Sequence, residues 1–211
     1  WYLQIIMRVL IAVLVLIFSL QSWTKAENIS EFEIEGLTIY SNLLDQAEKL
    51  GVTKEFILKR KLTFYPNSER ISLLRFKNRG TFQIYDSVQL QVDSKNYKIY
   101  TITGILSKNT DTKEKCLKKQ DEIIEALNEL APSAIKVVDR FLKHPADKTG
   151  KSISNGIYLD LPGGGTLSAE CYLWGEEFKN EGYDNNLKIN LESEEGRDFI
   201  QNEAYKPESY N

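Results

Sequence analysis

The strongest constraint on the fold lies between Thr81 and Leu106, TFQIYDSVQLQVDSKNYKIYTITGIL, where apolar and polar residues alternate. Successive side chains on a strand point to opposite faces, so Phe82, Ile84, Val88, Leu90 and Val92 turn one way while Thr81, Gln83, Ser87, Gln89 and Gln91 turn the other. A long antiparallel hairpin with one face on a core is the expected result. With Asp93, Ser94, Lys95 and Asn96 as its loop, Val92 is expected opposite Tyr97, Leu90 opposite Ile99 and Ile84 opposite Ile105. That register sets Asp86 inward, opposite Thr103, and Tyr85, Tyr100, Ile102 and Leu106 outward.

The rest of the chain is read around this hairpin. Phe32 to Gly36 reads as a short strand, after which Leu43, Leu44, Ala47 and Leu50 recur at helical spacing, with Ser41 as N-cap and Gly51 as stop. Thr53 to Arg60 adds a further helical turn, Ile71 to Phe76 a strand, and Asn78 to Gly80 the turn into the hairpin. Lys113 to Leu130 is the best helix, with Cys116, Ile123, Leu127 and Leu130 on one stripe and Pro132 beyond its end. Ile157, Leu159 and Leu161 alternate, Pro162 to Gly165 reverses the chain, and Leu167, Ala169, Cys171 and Leu173 alternate again. Leu187 to Leu191 gives a last strand and Glu194 to Ala204 a short terminal helix.

The pattern is a helix with three strands, followed by another helix with three strands. Clustered antiparallel strands beside few helices predict an α+β, two-layer fold, with sub-units over residues 27–110 and 111–211 of one domain; no residue-level repeat accompanies that division.

Val9 to Leu20 is an almost unbroken apolar run, preceded by Met7 and Arg8 and followed by Thr24, Lys25 and Ala26, the layout of a signal peptide. About a dozen residues fall short of the roughly 20 that a membrane span needs, so export with cleavage after Ala26 is expected, leaving no membrane segment in residues 27–211. No cysteine near that point offers a lipid anchor. The formal charge of −3 becomes more acidic once Arg8 and Lys25 are lost, which argues against nucleic acid as a partner.

In an oxidising compartment the two cysteines, Cys116 and Cys171, are expected to pair. Both fall on core-facing positions, so a bridge would staple the second helix to the second hairpin. Closing that loop is worth roughly 4 kcal/mol on chain-entropy grounds.

No catalytic, cofactor or metal motif stands out. In HPADKTGKS, His144 to Ser152, the end of a phosphate-binding loop is imitated, but Pro145 stands where a glycine is required and no strand and helix flank it. A solvated loop is expected, with weak anion contact by Lys148 and Lys151 left open. His144, the only histidine, is expected at the surface, and it would have to serve any triad or zinc site alone. Glu181 with Asp184, and Glu192 with Glu194 and Glu195, lack the alternation of a calcium loop and read as solvated charge.

FEIEGLTIYSNLLD, YDSVQLQV with YKIYTITGIL, CLKKQDEI and HPADKTGKS, which together cover most of the chain after Ala26, resemble a family of small, exported, functionally uncharacterised proteins of marine alphaproteobacteria. That family tends to carry Gly-Asp-Ser where this chain has Tyr40, Ser41 and Asn42, so no role is carried over to the helix entry. The resemblance implies export and an α+β fold, and brings no activity, substrate or catalytic residue.

The functional expectation is a non-catalytic binding or envelope-interaction module, with an envelope protein or small ligand as partner. Its candidate surface comprises Tyr85 and Tyr100 on the outer sheet face and His144, Lys148 and Lys151 in the loop. The alternative is a small periplasmic hydrolase with Asp86 or Glu35 as general base.

Overall fold

The computed structural model describes residues 26–144 and 147–205, so the apolar leader and its cleavage point fall outside the described residues, apart from Ala26. The architecture is α+β, dominated by one antiparallel sheet of eight strands. Ile29, Phe32, Ile34, Leu37 and Ile39 bury themselves along an opening segment that includes the two-residue strands β1 (Glu33–Ile34) and β2 (Leu37–Thr38). The single strand expected there is thus a tight hairpin, turned by Glu35 and Gly36, both with positive φ.

Leu43–Leu50 forms a 3-10 helix, entered through Asn42, whose side chain accepts from the Leu44 amide, and closed by left-handed Gly51. Ser41, expected as the cap, instead donates its hydroxyl to the Thr38 carbonyl. The helix α1 (Lys54–Lys59) follows, then four strands: β3 (Thr63–Tyr65), β4 (Ser68–Lys77), β5 (Ser87–Asp93) and β6 (Ile99–Leu106). The second half repeats this plan with α2 (Lys113–Leu130), β7 (Ile135–Lys143), β8 (Ile153–Asp160) and β9 (Thr166–Leu173), then a short helix α3 (Glu176–Asn180) and β10 (Asn186–Glu192). A last helix, α4 (Glu194–Phe199), runs into a π-turn over Ile200–Ala204.

The strand order is β3-β4-β5-β6-β10-β9-β8-β7. Each half is a four-stranded meander, and the two join through their last strands, β6 against β10. The expected three strands per half were one short in each case. β3 is only three residues long, and β7, an edge strand, carries apolar Ile135, Val137 and Val138 without the strict alternation of a half-buried strand.

The hairpin that anchored the sequence reading is shorter than expected and its register differs. Val88 pairs with Gly104, Leu90 with Ile102, and a bulge at Gln91 and Val92 brings Val92 opposite Ile99. Residues 81–86 do not extend the strand; they form a loop clamped by Glu35, whose carboxylate accepts from the amides of Gln83, Ile84 and Tyr85.

One sheet face carries the core. Leu74, Leu90, Ile102, Ile189, Ala169 and Ile157 lie on it, covered by α2 and the opening segment. Cys116 of α2 and Cys171 of β9 form a disulfide with Cα atoms 5.9 Å apart, as their core-facing positions predicted. Among the described residues no helix is long and apolar enough to cross a membrane.

Candidate functional site

The other sheet face is polar, and its rows can be read from the ladder. Gln91, Thr101, Glu192, Thr166 and Asp160 align across five strands, and a second row runs through Gln89, Thr103, Asn190, Ser168 and Tyr158. A third passes through Lys188, Glu170 and Gly156. The small hydroxyl residues are buried beneath the longer side chains, which stay half-exposed.

At one end α4 closes this face. Gly196 lies against Thr101, and Phe199 packs with Ile71, Tyr100 and Tyr65. At the other end stands an aromatic cluster in which Trp174 contacts Tyr172, Phe178 and Tyr183 at centroid distances of 5.9, 5.2 and 4.9 Å. The polar floor therefore forms a trough between a helical and an aromatic wall.

Glu170 is the centre of the trough. Its carboxylate accepts from the hydroxyls of Tyr158 (3.2 Å) and Tyr172 (3.0 Å), from Asn190 Nδ2 (2.7 Å) and from the Ser168 hydroxyl (3.3 Å). Gly156, directly opposite Glu170, leaves the space into which the Tyr158 hydroxyl reaches. Burial and then the Glu170 charge push both tyrosines well above their ordinary pKa, which keeps them as donors. Across the ladder from Glu170, Lys188 places its ammonium 3.9 Å from the centroid of the Tyr172 ring. Burial draws its pKa down, and Glu170 opposes that shift.

Glu192 lies further along β10. Burial, reinforced by the Glu170 charge, pushes its carboxyl up to about 7, with Arg197 pulling the other way. Two carboxyl groups, Glu192 with its raised pKa and Glu170, thus share one polar surface, with amide and hydroxyl groups between them. Such a floor offers both donors and acceptors, and the Nε1–H of 9% exposed Trp174 adds a buried donor with no acceptor among the described residues.

The expected surface tyrosines are elsewhere. Tyr85 is 4% exposed, because its loop folds inward and its ring fills the space above Gly104. Tyr100 is 9% exposed, packed with Phe199 and lying under the Lys98 ammonium, which is 5.4 Å from its centroid. Neither presents a surface, since the loop clamped by Glu35 turns Tyr85 inward and the C-terminal helix covers Tyr100.

His144, expected at the surface, is half-buried and sits 4.7 Å from the Trp174 ring and 5.9 Å from that of Tyr172, so it joins the aromatic wall. Burial and then nearby Lys188 lower its pKa. Lys148 and Lys151 are exposed in the following loop, as expected. That loop is organised by Asp147, whose carboxylate accepts from the amides of Thr149 (2.8 Å) and Ser152 (2.7 Å). A carboxylate thereby occupies the amides that a phosphate would need, and hydrogen bonds from the Ser152 and Thr149 side chains, and then from those amides, hold Asp147 well below its ordinary pKa.

Asp86 is not inward. It lines an open cleft of about 850 Å³ beside Lys108, Asp111 and Asp184. Its carboxylate accepts from the amides of Ser107 (2.8 Å) and Lys108 (3.1 Å), and these bonds, with the Lys108 ammonium, outweigh burial and lower its pKa. Asp86 and Glu35 both act as clamps on backbone, a poor setting for a general base.

The residues missed from the sequence are Tyr158, Glu170, Tyr172, Lys188 and Asn190, together with Glu192, expected as solvated charge. Their signal was present as the polar complement of the alternating core residues Leu167, Ala169 and Cys171 and Leu187, Ile189 and Leu191. Comparison with family models, with curated proteins and with solved structures finds no match for this chain. Among the described residues, no group of three His, Cys, Asp or Glu side chains is placed to hold a metal ion.

Proposed function

We propose that the chain is an exported, non-catalytic binding module whose ligand surface is the trough on the polar sheet face, and that its ligand is a hydroxyl-rich molecule such as a sugar or the sugar part of an envelope component. The observation that carries this reading is Glu170, held by two tyrosine hydroxyls and Asn190 in the middle of the trough. Around it, donors and acceptors of fixed geometry lie beside the ring of Tyr172 and the wall of Trp174 and His144. Polar groups that fix orientation beside aromatic surface are the usual composition of a small-molecule site. The apolar leader, the disulfide and the motif likeness to an exported family support the export part of the reading.

The test is an NMR titration of residues 27–211 with a panel of neutral and amino sugars. Saturable shifts in β8, β9 and β10 and at the Trp174 indole are expected, and Glu170→Gln should abolish them while circular dichroism stays unchanged. If no sugar shifts these resonances, or if the variant responds like the parent, the reading fails.

Glu192 favours a second reading, a small hydrolase using a buried carboxylate. Its raised pKa suits a general acid, and Glu170 on the same face supplies a second carboxyl group. Release of nitrophenol from aryl glycosides, abolished in Glu192→Gln, would carry it; no release by the parent chain removes it.

A further inference from the structure

Away from the trough, a second cleft of about 800 Å³ opens between the C-terminal end of α1, strand β4 and the turn that follows it. Lys59, Arg60, Arg75, Lys77 and Arg79 line it and, among the described residues, no carboxylate does, although the chain as a whole carries a formal charge of −3. None of these five cations takes part in an ion pair among the described residues. Five unneutralised cations around one concavity raise the local potential and concentrate anions there.

Two of the five are held in place by the fold. Arg60 donates through Nη2 to the Arg75 carbonyl at 2.6 Å, and its guanidinium lies 4.7 Å from the Phe76 centroid. Arg75 donates through Nε and Nη2 to the Ser87 hydroxyl on the neighbouring strand, so it contributes charge more than a free donor. Lys59, Lys77 and Arg79 are exposed and remain available to bind.

The cleft is not uniformly polar. Leu50, Val52 and Phe56 line it too, and Phe56 is 50% exposed on α1 while its neighbour Ile57 is wholly buried. A half-exposed phenyl ring beside clustered cations suits an anion joined to an apolar body better than a bare ion. Guanidinium and ammonium groups together match the oxygens of a phosphate ester.

We propose that this cleft binds an amphiphilic phosphate ester, with the phosphate among Arg60, Lys77 and Arg79 and the apolar part against Phe56. The same chemistry is supplied by a free alkyl or aryl phosphate and by an anionic lipid headgroup. The cleft lies at the β4 edge of the sheet, where Arg75 continues the polar row through Gln89 and Leu50 and Phe76 belong to the core side, and it shares no lining residue with the surroundings of Glu170.

The experiment uses residues 27–211 with the disulfide formed. Calorimetric titrations at low salt compare dodecyl phosphate, kept below its micelle concentration, with inorganic phosphate. Sedimentation with phosphatidylglycerol and with phosphatidylcholine vesicles separates the two sources. The double variant Lys77→Glu/Arg79→Glu changes exposed side chains that make no hydrogen bond among the described residues, and Phe56→Ser tests the apolar contact.

Dodecyl phosphate should bind at least about tenfold more tightly than inorganic phosphate, and the charge-reversed variant should lose at least about tenfold. Binding should also weaken as salt rises, because the cations are exposed. Phe56→Ser should reduce the preference for the amphiphile while leaving inorganic phosphate unaffected. Retention on phosphatidylglycerol vesicles that depends on the same residues identifies a lipid source; binding of dodecyl phosphate without vesicle retention identifies a soluble one. Equal affinity for both phosphates, or binding that survives charge reversal, overturns the proposal.

Discussion

The ring of Tyr85 occupies the space that a side chain at Gly104 would fill, so a loop residue and a central strand of the sheet are fitted to one another. Val88 pairs with Gly104 in the ladder, which places the glycine on the core face directly under the loop. Adding a methyl group here forces the ring or the strand to move. Gly104→Ala is expected to destabilise the chain by about 1–3 kcal/mol, the usual cost of overpacking, seen as a lower urea midpoint with unchanged m. Retention of the parent midpoint would mean that the Tyr85 ring is free to move aside.

This contact also shows why the hairpin was only partly legible. Alternation identified the strands around Val88, Leu90 and Val92 because burial on one face writes a period of two into the sequence. It ran on through Phe82 and Ile84 because a loop folded onto a core also buries apolar residues, and nothing local distinguishes the two. What decides is the carboxylate of Glu35, about fifty residues away, which collects three consecutive amides and prevents them from joining a ladder. The same limit hid the trough. Glu170, Asn190 and Tyr158 are polar alternates on three strands, and only the β8-β9-β10 order places them together. Cys116 and Cys171 were the exception, since an even cysteine count and two core-facing positions require no long-range register.

The disulfide should carry a large part of the stability of the second half, because it ties α2 to β9 across a sequence separation of 55. Chain-entropy arithmetic gives roughly 4 kcal/mol for a loop of this length. The double variant Cys116→Ser/Cys171→Ser is expected to lose that order of stability in urea, and non-reducing mass spectrometry of the parent should find the linked pair. Two free thiols in exported protein would contradict the pairing.

A second tie between the same layers was not visible in the sequence. Gln120, 1% exposed on α2, donates to the carbonyls of Asn155 (2.7 Å) and Ala169 (2.6 Å) and accepts from Asn155 Nδ2 (2.6 Å). It therefore bridges the helix to β8 and β9 from inside the core. Gln120→Leu keeps the volume but strands the Asn155 amide in an apolar setting, where an unpaired polar group is costly. A loss of about 2–4 kcal/mol is expected, and amide exchange at the middle of α2 should quicken. If replacement by leucine proves neutral, the bridge merely satisfies itself and holds nothing together.

The pH dependence of stability should report Glu192. Its pKa rises from an ordinary 4.5 to about 7 in the folded chain, through burial and then the charges of Glu170 and Asp160, with Arg197 opposing. Between these two values the folded state binds more protons than the unfolded state, so stability falls as pH rises. The parent is thus free of this penalty below pH 4.5 and bears it fully above about pH 7. Glu192→Gln cannot ionise and escapes the penalty, while the other titrating groups, including His144, are common to both chains and cancel in the difference. Relative to the parent, the variant should gain on the order of 2 kcal/mol between pH 4.5 and pH 8, allowing for partial solvent contact. Urea unfolding of both chains at the two pH values measures this; a difference that stays constant would place the Glu192 carboxylate in water at its ordinary pKa and remove it from the list of possible acids.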